Sequence, residues 1–123
     1  MSVIHITAPH ALSAAQFGSP ATPPAVGTQP VPRLSTASAY ESDDGAVSTG
    51  TWEATPGVAT PGVFARAVVD AEFSHFIAGR ATFVTVDGQR FEFRAGDAAY
   101  FPPRTRGVWT IYETLRKTYC VWR

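Results

Sequence analysis

Along this chain apolar and polar positions alternate over short runs, and no stretch of helix length carries a convincing 3.6-residue period. The runs are rich in Val, Thr, Phe, Tyr and Trp and are separated by turn residues. They predict strands over about 36–41, 47–54, 62–69, 72–78, 80–86, 89–94, 97–101, 107–113 and 116–122. Asp87-Gly88 is the clearest hairpin signal, because glycine accepts the positive φ of a type I′ turn. After it, residues 89–94 alternate polar and aromatic, which places Phe91 and Phe93 on one face and the charged groups on the other. Ala95-Gly96-Asp97 and Pro102-Pro103-Arg104 read as further turns. Many short strands at close, regular spacing predict an all-β sandwich or barrel.

The pattern changes near residue 33. Residues 1–32 contain no Lys, Arg, Asp or Glu, yet they hold six of the ten prolines. Proline lacks the N–H that helices and central strands need. Residues 1–34 are therefore expected to form an extended Pro/Ala/Ser/Thr-rich arm lying partly on the barrel or on a partner subunit, and residues 35–123 the barrel domain.

Composition narrows the function classes. Hydrophobic residues make up 45% of the 123, enough for a core, while Lys+Arg and Asp+Glu number 10 each. Such neutrality argues against a nucleic-acid partner or an anionic membrane surface. No apolar run approaches the roughly 20 residues of a membrane helix. The N-terminus lacks the basic start and unbroken apolar middle of a signal peptide. The single cysteine, Cys120, excludes an intramolecular disulfide and reads as an inert thiol in a cytoplasmic protein. There is no Walker or dinucleotide loop, no Gly-x-Ser-x-Gly elbow, and no Ser/His/Asp set in a supporting context.

Several segments together resemble one family. They are Tyr40-Glu41-Ser42-Asp43-Asp44-Gly45 with residues 49–57, residues 72–80 running from Glu72 to Arg80, Gly96-Asp97-Ala98-Ala99-Tyr100-Phe101-Pro102, Gly107-Val108-Trp109, and Leu115-Arg116-Lys117-Thr118-Tyr119. Spanning about 38–122 in the right order, they resemble small cupins similar to ureidoglycine aminohydrolase. The resemblance implies a double-stranded β-helix, or jelly-roll barrel, and homodimers in which N-terminal strands pair across subunits.

It also implies where a metal would be held. Metal-binding cupins supply His-x-His and a Glu from a first motif and a third His from a second, because a divalent ion needs several N/O ligands converging at about 2.0–2.2 Å. Glu72 stands at the glutamate position, but the histidine positions fall on Ala65, Ala67 and Gly107. His75, the sole histidine beyond residue 10, lies an odd number of residues from Glu72 and so on the opposite strand face. The expectation is a barrel without a metal or other cofactor.

Strand phase puts Ala65, Ala67, Glu72, Ser74 and Phe76 on the inward face, with Gly107 and Trp109. Two readings stay open: a ligand pocket lined by Glu72, Ser74, Phe76, Trp109 and Tyr100, or a filled barrel with Trp109 as core. An internal Glu72 needs a cation, for which Arg66, Arg104, Arg106 and Lys117 are available. Beside Trp109 and without one, its carboxyl would have a raised pKa suited to acid/base catalysis. Three functions follow. The first is a metal-free binder of a small metabolite. The second is an enzyme related to ureidoglycine aminohydrolase, or a sugar- or amide-modifying isomerase or hydrolase, with Glu72 as acid/base. The third is a structural dimer scaffold.

Overall fold

The computed structural model describes residues 3–60 and 70–123. Strands dominate it: β1 (Leu34–Glu41), β2 (Val47–Ala54), β3 (Gly57–Ala59), β4 (Ala71–Thr85), β5 (Arg90–Arg94), β6 (Ala98–Phe101) and β7 (Gly107–Trp122). All pairings are antiparallel, in the order β1-β2-β7-β4-β5, with β3 added to β7 and β6 to β4. The predicted strand at 62–69 lies outside the described residues, and β3 was not anticipated. Among the described residues no helix is long and apolar enough to cross a membrane.

The main departure from the sequence reading is length. Residues 72–78 and 80–86 are not two strands but one, and so are 107–113 and 116–122. β4 and β7 run side by side from the Ala71–Trp122 pair to the Thr85–Gly107 pair, with register shifts between Phe76 and Ala81. Before the shifts β4 pairs with β6 and the last part of β7. After them it pairs with β5 and the first part of β7. The two halves fold face to face, as the Phe76 and Phe93 rings show by stacking across the interior at 4.7 Å. Each bulge residue changes which side of the strand faces in. Even-numbered Ser74 and Phe76 are buried before the bulges, and odd-numbered Ala81 and Phe83 after them. Gly79, at φ 87°, makes this crossing possible, since a Cβ there would lie 2.1 Å from the Thr114 carbonyl oxygen.

The β4–β5 hairpin also differs in detail. Gly88 has φ 92° whereas Asp87 does not have positive φ, and the Gly88 N–H donates to the Thr85 carbonyl at 2.9 Å. The connection is therefore a type I turn closed by a left-handed glycine, not a type I′ turn.

Among the described residues the N-terminal segment contains two short 3₁₀ turns, Pro9–Ala11 and Ala14–Gln16, and one β-bridge from Ala21 to Leu34. It lies on the outside of the sheet. The Arg116 side chain donates to the carbonyls of Pro9 and His10, both at 3.1 Å, to the Glu53 carboxylate at 2.5 Å, and covers the Phe17 ring at 5.0 Å.

Candidate functional site

Glu72 and Ser74 lie two residues apart on β4 and so point the same way, into the barrel. The Ser74 hydroxyl donates to Glu72 Oε2 at 2.5 Å. The Lys117 ammonium donates to the same oxygen. Lys117 reaches it from β7, where it stands opposite Phe76 with only 7% of its surface exposed. Its Nζ is 4.8 Å from the centre of the Trp52 ring and 5.9 Å from those of Phe101 and Trp109. Ring faces attract a cation, most strongly where water is excluded. Of the four cations available to Glu72, Lys117 is thus its partner; Arg104 and Arg106 are exposed in the loop after β6, and Arg66 lies outside the described residues.

The pair reverses the raised pKa expected of a carboxyl without a cation. Burial is the largest influence on Glu72 and pushes its pKa up. The charge and hydrogen bond of Lys117, with the bond from Ser74, together outweigh it and hold the carboxyl below its usual value. Glu72 is an ion-paired carboxylate, which is the wrong state for a general acid near neutral pH.

The remaining sequence candidates are placed apart. Phe76 is fully buried, and Trp109 is 6% exposed with the rings of Phe76, Phe83, Phe93 and Phe101 at 6.2, 4.9, 5.6 and 5.9 Å. Of the two readings of Trp109, the geometry matches the filled core. Tyr100 is 54% exposed and stacks on Trp122 at 6.0 Å. His75 is exposed between Ala98 and Thr118. Cys120 is half-buried, and burial pushes its thiol pKa up, away from the reactive thiolate.

A cleft lies elsewhere. It has a volume of about 600 Å³ and is bounded by β5, β6 and the loops on either side of them. Phe83, Phe91, Phe93 and Phe101 supply its apolar wall, Tyr100 borders it, and Thr85, Gln89 and Arg106 are among its polar residues. Phe91 and Phe93, on one face as their alternation predicted, stack at 6.4 Å with an interplanar angle of 11°. Except for Tyr100, none of the sequence-predicted ligand residues lines this cleft. The 89–94 alternation was its one visible signal. For Lys117 the signal was phase: it falls in step with Leu115, Tyr119 and Val121, so a charge was due inside.

Two long shared strands, folded so that the barrel's halves face each other around an aromatic core, define a cupin. Residues 41–119 match the EutQ-like cupin domain family, and the chain belongs to it. Among solved structures it is similar to the EutQ protein of Clostridium difficile, with 13% identity, a TM-score of 0.61, and 74% of this chain and 68% of that one covered. It is also similar to a protein of unknown function in the DUF861 family from Pseudomonas syringae pv. tomato. There the identity is 23%, the TM-score 0.67, and the coverage 85% of this chain and 43% of that one. Ectoine synthase from P. lautus gives 12%, 0.59, 72% and 63%. No curated protein matches the chain.

The cupin fold raises the question of a metal, and the residues do not fit one. The Lys117 ammonium already neutralises the Glu72 carboxylate. At Gly107 a Cβ would lie 2.2 Å from the Val84 carbonyl oxygen and 2.8 Å from the Phe83 ring, leaving no room for an imidazole. The β3 residue paired with Trp109 is the fully buried Ala59. Among the described residues no three His, Cys, Asp or Glu side chains converge. Ala65 and Ala67 lie outside the described residues.

Proposed function

We propose that this chain is a metal-independent cupin that binds a small planar molecule in the cleft beside β5 and β6. The carrying observation is the cleft itself: aromatic walls, a few polar groups at the rim, and room for a metabolite, which is the usual composition of a small-molecule site. The sequence reading placed the ligand next to Glu72. The Glu72–Lys117 pair and the rings around it occupy that space, so the binding role moves to the cleft and Glu72 takes a structural one. An activity like that of ureidoglycine aminohydrolase, with Glu72 as acid/base, has less support, because the carboxylate is already neutralised by Lys117.

A screen of planar metabolites by thermal shift, repeated with EDTA, tests the reading. Ligands that bind only the folded chain raise its Tm, by ~2.7 kcal/mol of stability at a hundredfold excess over Kd. The expected hits perturb the Phe91 and Phe101 ring resonances, lose affinity in Phe91→Ala, and are indifferent to EDTA. Hits that instead require a stoichiometric metal, or that perturb Glu72 and Lys117 alone, overturn it.

We further propose a homodimer, supported by the apolar outer face on which Phe73, 48% exposed, lies between Tyr100 and Cys120.

A further inference from the structure

The floor of the cleft is apolar, but its rim carries charge. Among the described residues that line it, Arg106 is the one cation and Asp87 the one acid. Asp87 is engaged, because its carboxylate accepts the Thr85 hydroxyl inside the hairpin loop. Arg106 has no hydrogen-bond or ion-pair partner for its guanidinium among the described residues.

The loop that carries Arg106 is held in one shape. The Val86 N–H donates to the Arg106 carbonyl at 3.1 Å, and the Thr105 hydroxyl to the Pro102 carbonyl at 2.6 Å. Between them Arg104 adopts φ 66°, a left-handed conformation that non-glycine residues seldom take. Such local strain persists only where the surroundings impose it. Arg106 thus lines the cleft from a tied-down stretch of backbone, in the same lining as Phe91 and Phe93.

We infer that the cleft takes a planar aromatic carboxylate, its ring against the Phe91 and Phe93 wall and its carboxylate on Arg106. This rests on the reading of the cleft as the binding site and names the class of ligand. A guanidinium presents parallel N–H donors matched to the two oxygens of a carboxylate. The rim carries one guanidinium and one carboxylate, Asp87, so it suits a singly charged group held by the directed N–H donors of Arg106 and disfavours a phosphate dianion. The exposed Gln89 amide adds a neutral hydrogen-bonding group at the same rim.

Benzoate, benzamide and inorganic phosphate, each titrated into the full chain and into Arg106→Gln, separate the possibilities. Binding is read from the ring resonances of Phe91 and Phe101. The expected result is benzoate about tenfold tighter than benzamide, equivalent to ~1.4 kcal/mol, with that preference lost in Arg106→Gln. Equal binding of benzoate and benzamide in the cleft overturns the carboxylate inference while leaving a planar-ligand site standing. Phosphate binding as tightly as benzoate also overturns it. If neither aromatic probe moves the Phe91 or Phe101 signals, both this inference and the cleft reading fall.

Discussion

Lys117 shows how one side chain can settle a barrel's interior. Its charge is surrounded by three rings and satisfied by a carboxylate that Ser74 also holds. Lys117→Met leaves Glu72 buried without its cation, and breaking such a pair by removing one member costs about 3 kcal/mol. Urea denaturation is expected to show that loss, with Glu72→Gln/Lys117→Met recovering part of it. The pH response has a definite sign. Because the folded-state pKa of Glu72 is depressed below 4.5, its contribution is complete above that value and is lost as pH falls through the lower folded-state pKa. A Tm profile from pH 7 to 3 should therefore fall less steeply for Glu72→Gln than for the unmodified chain. The inward phase of Glu72, Ser74, Phe76 and Trp109 was legible in the sequence because strand alternation is strict. Lys117 was among the four candidate cations and its phase pointed inward, but the pairing itself was not legible, since Lys117 approaches from a strand 45 residues away in sequence.

At the scale of elements, β4 and β7 are packed too closely to accept new side chains at their glycines. Restoring the metal-ligand type by Gly107→His is expected to cost about 3 kcal/mol through overpacking, and to confer no zinc binding in a calorimetric titration. Arg116 holds the first part of the arm, whereas Gly18, Ala21 and Pro30 are held by backbone hydrogen bonds. Arg116→Met removes its bonds to Pro9, His10 and Glu53. Limited proteolysis should then cut within residues 3–17 much faster, while hydrogen exchange in β4 and β7 changes little. Individual strands were readable from their composition. Their fusion into β4 and β7 was not, because Gly79 and the residues around it look like a turn, and only pairing with a continuous partner shows them to be bulges. The proline-rich arm was legible as irregular, but its docking on Arg116 depends on contacts more than 100 residues apart, 107 in the case of Pro9.

For the molecule as a whole, strand spacing indicated a sandwich or barrel and the family resemblance of the ordered motifs implied the jelly roll, whereas the cleft was not legible: its lining, all within residues 83–106, comes together only once β4, β5, β6 and their loops have folded. The apolar outer face bears on assembly. Light scattering should give twice the 13.2 kDa chain mass, and Phe73→Glu, which places a charge on that face, should return the single-chain mass without unfolding the barrel. The bulges between Phe76 and Ala81 have a consequence for how such a chain can vary over time. Substitutions in that short stretch are negotiable, but its residue count is not. Deleting one residue there would rotate the rest of the strand by half a turn, taking Phe83 out of the aromatic cluster and bringing Thr82 into it. A coding change of three nucleotides at this spot would turn half the barrel inside out.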